Sequence, residues 1–195
     1  MPPPNDKPNA ASLRWEIRDS DCRFSDETLS LRADTITVRD GTERNYAFLE
    51  RAPAVVIVPV TGDGQIITLK QYRYPVDDWC IEVPAGDHRD TDDESLTDTA
   101  RKALSEKIGA TCGAITKIGF FYSAPSLTDE KCHVFLAENV DGTRTPDIES
   151  TEENRIRLVP ADEVVEMARA GKMKSGPCTL AVLWCEPLLR ERGYI

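Results

Sequence analysis

One stretch does most to limit how this chain can fold. From Glu82 the sequence reads Glu82-Val83-Pro84-Ala85-Gly86, then a polar loop, then a run ending Lys102-Ala103-Leu104-Ser105-Glu106-Lys107-Ile108-Gly109. Leu96, Ala100, Leu104 and Ile108 recur at every fourth position, which places them on one face of a helix. The pattern predicts a helix from about Asp92 to Gly109. Thr91-Asp-Asp-Glu94 has the form of a capping box at its start. Gly109 is placed to close it, because glycine adopts the left-handed conformation of a helix C-terminus without steric cost. Such a helix has one apolar face to bury, and strand-like runs lie on both sides of it in the sequence, so it must pack on a sheet.

The strand signals are strongest before the helix. Ala54-Val-Val-Ile-Val-Pro-Val60 and Gln65-Ile-Ile-Thr-Leu69 flank Gly62-Asp63-Gly64, a hairpin signal. Trp79-Cys-Ile-Glu-Val83 is a further strand. Nearer the N-terminus, Leu13 to Phe24 alternates apolar residues (Trp15, Ile17), and Thr35–Val38 and Tyr46–Leu49 flank Asp40-Gly41. These predict a small antiparallel N-terminal sheet. After the helix, Ile115–Tyr122, His133–Glu138 and Ile156–Val159 read as strands. Ala161–Ala170 reads as a helix with Val164, Val165 and Ala168 on one side, and Pro177 opens a last helix carrying Leu180, Leu183, Trp184 and Leu188. The expected architecture is an α/β/α sandwich with a mixed sheet plus the small N-terminal sheet. Its divisions are a disordered tail over residues 1–11, an N-terminal β subdomain over 12–52 and a main domain over 53–195.

The stretch from Gly86 to Ala110 resembles the signature box of the Nudix hydrolases, G-x5-E-x7-R-E-U-x-E-E-x-G-U, where U is a bulky apolar residue. Gln71-Tyr-Arg-Tyr-Pro75, Glu82-Val-Pro-Ala-Gly86, Tyr122-Ser-Ala-Pro125 and the tail Glu152-Glu-Asn-Arg-Ile-Arg157 resemble the ADP-ribose pyrophosphatase branch of that family in order and spacing. Pro125 stands sixteen residues after Gly109, as in that branch. The resemblance covers roughly Trp15 to the C-terminus. It implies cleavage of the diphosphate of ADP-ribose or a related nucleoside diphosphate sugar, giving a nucleoside monophosphate and a sugar phosphate, with Mg²⁺ or Mn²⁺. It also implies a homodimer.

Carried over residue by residue, the likeness makes Glu106 a metal carboxylate and the Ala85 carbonyl a second metal ligand. Glu152 and Glu153 become completing ligands or general base. Arg73 would reach phosphate or ribose as a guanidinium donor, Glu82 would line the ligand pocket or the dimer seam, and Lys107 and Glu130 are further substrate contacts. The box departs from the family at decisive positions. With Gly109 as anchor, Lys102 stands for the Arg, Ala103 for the following Glu and Lys107 for the second Glu of the E-E pair, and seven residues rather than five separate Gly86 from Glu94. The family's three carboxylates at i, i+3 and i+4 share a helix face and hold Mg²⁺ through oxygen; here one remains. Each of these residues also has an ordinary structural use: Glu106 as a solvated helix residue, Lys107 as a cation near a helix C-terminus, Arg73 as a strand-end side chain. The expectation is weak or lost hydrolysis, and the alternative is a non-catalytic nucleotide-sugar binder or scaffold protein, with no metal required.

Composition narrows the partners. The chain has 195 residues, 40% hydrophobic and 30% charged, with a net charge of -10. That balance disfavours binding driven by nucleic-acid phosphates. The six cysteines form no C-x-x-C pair and the two histidines lie apart from them, which argues against zinc. No signal peptide and no apolar run of membrane length is read, so the expected setting is the cytoplasm with reduced thiols. His88 and His133 read as structural or exposed.

Overall fold

The computed structural model describes residues 7–88, 95–142 and 155–195. They form two compact units. The first holds residues up to Ala52 with Tyr122–Glu130, and the second holds Pro53–Phe121 with Lys131–Ile195.

The first unit is a three-stranded antiparallel sheet of β1 (Glu16–Ser25), β2 (Leu29–Thr37) and β3 (Glu43–Arg51), with β2 in the middle. The expected Asp40-Gly41 turn closes β2 on β3: the Val38 N–H donates to Thr42 O at 2.9 Å, and Gly41 has a φ of 84°. Only glycine takes that φ without strain, which is why the turn is legible. Part of the predicted disordered tail is instead ordered, since Pro8–Ser12 forms a short helix, α1. Proline at the first helical position already has the required φ, and two alanines follow it. Residues Tyr122–Glu130 lie along β3, with the Leu49 N–H donating to Leu127 O at 2.8 Å and the Arg51 N–H to an Asp129 carboxylate oxygen at 3.0 Å.

The second unit is the sandwich. Its main sheet runs β7 (Ala85–Asp87), β4 (Ala54–Pro59), β9 (Lys131–Glu138), β8 (Ala114–Tyr122), and β4 and β9 are parallel. A second sheet holds β10 (Arg155–Pro160), β5 (Gln65–Arg73) and β6 (Asp78–Glu82), all antiparallel. Every residue of β4 is buried. Its side chains alternate between two cores: Val55 and Ile57 pack with α2 (Leu96–Ile108), and Val56 and Val58 pack with α3 (Ala161–Arg169) and α4 (Gly176–Glu191). A strand covered on both faces reads as a continuous apolar run, as this one does. Burying each such side chain contributes roughly 1.5–3 kcal/mol.

The Gly62-Asp63-Gly64 signal makes a turn but no extended hairpin. The Thr61 N–H donates to Gln65 O at 2.8 Å and Val60 bridges Ile66, after which β4 and β5 part into different sheets. β4 takes β9 and β7 as neighbours instead, and its two faces are covered by α2 and by α3 with α4. On α4 the core-facing residues are the smaller Cys178, Ala181, Val182 and Cys185, with Leu189; Leu180, Leu183 and Leu188 are half-buried on its flanks. Among the described residues no helix is long and apolar enough to cross a membrane.

Candidate functional site

Arg73, Glu82, Ala85, Glu106 and Lys107 follow one another along β5, β6, β7 and α2. β5 and β6 pair with Leu69 opposite Glu82 and Arg73 opposite Asp78. Side chains alternate across a strand, so Arg73 and Glu82 project from the same face. There the guanidinium grips the carboxylate with two donors, Nε to Oε1 at 2.9 Å and Nη2 to Oε2 at 2.5 Å. Glu82 is 3% exposed while Arg73 keeps almost half of its side chain in solvent. Two parallel charge-assisted bonds are the arrangement that best offsets burial of a carboxylate.

Beyond Glu82 the chain turns at Val83-Pro84, where Pro84 O accepts the Ile57 N–H at 2.9 Å. β7 then pairs with β4, Ala85 opposite Val56 and Gly86 opposite Val55. Next comes His88, whose Nδ1 lies 2.7 Å from Thr99 Oγ1 on α2. The Thr99 hydroxyl also reaches Ser95 O, at 3.3 Å.

The helix begins later than the sequence suggested. Ser95 is its N-cap, and the capping box is Ser95 with Asp98: the Asp98 N–H donates to Ser95 Oγ at 3.2 Å and the Ser95 N–H to an Asp98 oxygen at 3.3 Å. A serine followed three residues on by an aspartate satisfies the same orphan donors as the Thr91–Glu94 pair would. Thr91 and Glu94 themselves lie outside the described residues. Gly109 caps the helix as expected, with a φ of 62°.

The box positions separate on this helix. Ala103 is buried and faces Gly86, Glu106 is exposed, and Lys107 is half-buried in the last turn. Glu130 belongs to the first unit, where its Oε1 takes Arg51 Nη1 at 2.9 Å. Glu152, Glu153 and Asn154 lie outside the described residues. Among the described residues no group of three or more His, Cys, Asp or Glu is placed to hold a metal ion. The three box positions offer one carboxylate, a methyl and an ammonium, where a hard divalent cation asks for several oxygen ligands.

His88 and His133, read as structural or exposed, are both buried. His133 is 6% exposed, its Nδ1 has no hydrogen-bond partner, and its ring lies 6.0 Å from that of Phe120. Burial first, then the nearby Lys117, Lys131 and His88, push its pKa down to about 4. No sequence signal marks this, because the groups come from three separate elements.

Comparison with known proteins agrees with the architecture. The NUDIX domain family model matches residues 50–178. Over 157 residues the chain is 31% identical to an ADP-ribose pyrophosphatase of Bacillus subtilis (strain 168), covering 75% of this chain and 84% of that protein. It is 26% identical over 172 residues to the CMP-5'-(N-acetyl-N-hydroxy-3-aminopropyl)phosphonate hydrolase of Streptomyces rubellomurinus, covering 88% and 82%. A crystal structure of an ADP compounds hydrolase superposes with a TM-score of 0.78 over 93% of this chain and 97% of that one; at 17% identity this likeness concerns the fold.

Proposed function

Because this chain belongs to the Nudix domain family, we propose that it takes a nucleoside diphosphate sugar of the ADP-ribose kind and hydrolyses it slowly or not at all. The observation that carries this reading is the residue set at the three box positions: Ala103 packed on Gly86, Glu106 exposed, Lys107 half-buried. Nudix enzymes generally use divalent metals, and these side chains do not suit one. Losing a single preorganised charge interaction at a reacting centre typically costs on the order of 10²-fold in rate, and two of the three box carboxylates are replaced here.

The chain's own residues retain a capacity to bind. Arg73 presents a half-exposed guanidinium that a diphosphate would share with, or take from, Glu82. Lys107 adds an ammonium where the family has a carboxylate, so a metal-free diphosphate meets less repulsion. This favours the second reading, a non-catalytic nucleotide-sugar binder or scaffold. Glu152 and Glu153 keep their proposed part as base or ligand. A homodimer in the cytoplasm completes the proposal, to be checked by sedimentation and cell fractionation.

The test is AMP release from ADP-ribose with Mg²⁺ or Mn²⁺, run on the natural chain and on the Ala103→Glu, Lys107→Glu double variant. The natural chain is expected well below roughly 1 per second, an ordinary enzyme rate, and the variant above it. Turnover by the natural chain at ordinary rates would refute the loss of activity. Thermal stabilisation by ADP-ribose in chelator supports the binder.

A further inference from the structure

Glu82 is a carboxylate that water barely reaches, and among the described residues Arg73 is the one cation bonded to it. Along β6, Cys80 and Asp78 share its face, because side chains alternate along a strand. Leu69 lies opposite it on β5. Asp78 holds the Lys174 ammonium, so that cation is already engaged. Cys80 and, on α4, Cys178 are buried. Both thiols are pushed up, first by burial and next by the Glu82 charge itself. The surroundings of Glu82 other than Arg73 are therefore a leucine, two buried thiols and a carboxylate with its own partner, and none of them stabilises a second negative charge.

Arg73 is placed differently, with 46% of its side chain in solvent. Its Nη2, which Glu82 Oε2 holds, is one of the two terminal nitrogens. These form an edge that a phosphate grips with two oxygens. A diphosphate arriving from solvent competes with Glu82 for that nitrogen. Resting on the reading that this site takes a diphosphate, we propose that binding is coupled to proton uptake: the diphosphate draws the Arg73 guanidinium away from Glu82, and Glu82 takes one proton from solvent in exchange. The bond made is O–H on a Glu82 oxygen. The guanidinium keeps its charge and no bond of the ligand breaks.

Two effects push the same way. A buried carboxylate stripped of its counter-ion is far costlier than the neutral acid. The diphosphate, held by the same guanidinium, repels the Glu82 charge as well. Buried glutamates without a partner can keep a proton up to about pH 8. Linkage fixes the sign: a proton taken up on binding makes affinity rise as pH falls, by about tenfold per pH unit for one proton. A diphosphate esterified at both ends keeps its own charge near neutrality, so the ligand does not supply this dependence.

Titration calorimetry of the full chain with ADP-ribose in chelator, run in MOPS and again in Tris, counts the protons, because the two buffers ionise with different heats. The natural chain should take up about one proton per ADP-ribose and bind about tenfold more tightly for each pH unit from about pH 8 down to about pH 6. Glu82→Gln, whose amide does not ionise, should bind with no proton uptake and with one affinity across that range. Difference infrared spectroscopy on the natural chain reads the same proton without a variant, as a carboxylic acid band raised by ADP-ribose. Binding with no uptake and no such band, or uptake that persists in Glu82→Gln, would overturn the coupling and leave the binding reading standing. No binding of ADP-ribose by the natural chain would overturn both.

Discussion

Ala103 on α2 lies so close to Gly86 on β7 that a methyl group added to Gly86 would stand 3.0 Å from the Ala103 methyl. Both atoms sit on rigid backbone, so neither can swing aside. Gly86→Ala should therefore lose about 1–3 kcal/mol through overpacking. Ala103→Gly alone should lose about 1 kcal/mol through helix propensity. The double variant should lose less than the sum, as contacting residues do. Urea denaturation of the four proteins gives the coupling, and strict additivity would mean the contact is not tight.

The Arg73–Glu82 pair makes a second prediction. Arg73→Ala leaves a buried carboxylate without its two-donor partner and should cost roughly 1–3 kcal/mol, below the full figure for a buried pair because Arg73 is half-exposed. Adding Glu82→Gln should recover part of that loss, since a neutral amide costs less to bury than an unpaired charge. A double variant less stable than Arg73→Ala would contradict this.

His133 should make stability depend on acid. Its folded pKa is depressed to about 4 from an ordinary value of 6.5. The unfolded chain therefore binds a proton as pH falls below 6.5 while the folded chain does not, so folding stability is lost between pH 6.5 and about 4. The limiting slope is about 1.4 kcal/mol per pH unit. Comparing melting temperatures of the natural chain and His133→Gln across that range checks it, and the variant should show the shallower decline.

The thiols should divide by burial. Cys178 and Cys185 lie within the core and burial pushes them up to about 11 and about 12, whereas Cys22 is exposed on β1. At pH 8 a thiol reagent should label Cys22 rapidly and the α4 pair only as the protein unfolds, because the thiolate is the reacting form. Peptide mass spectrometry after timed quenching resolves them. Fast labelling of Cys185 would show that α4 opens readily.

The local signals were accurate where one segment satisfies itself. The Asp40-Gly41 turn and the Gly109 cap need only glycine at a positive φ, and both form. Of the stripe Leu96, Ala100, Leu104 and Ile108, the last three are buried and Leu96 is half-buried. The sequence marked Thr91–Glu94 as the capping pair, but the helix starts one turn later at Ser95–Asp98, which satisfies the same backbone donors. α4 is apolar on several sides, so its periodicity did not name the buried face. The small Cys178, Ala181 and Cys185 face the core, while Trp184 lies against Gly119, where an added methyl would come within 3.2 Å of its ring.

By itself the sequence determined the elements, the α/β class and the altered box, because turns, caps and apolar periods are local and a residue's charge does not depend on its neighbours. Only the tertiary structure decided that β4 leaves β5 to lie parallel to β9, with Ala54 opposite Cys132. It also decided that Arg73 closes on Glu82 and that His88 and His133 are buried. These depend on pairing between residues distant along the chain, set by which strand offers apolar surface on both faces. No window of neighbouring residues contains that information.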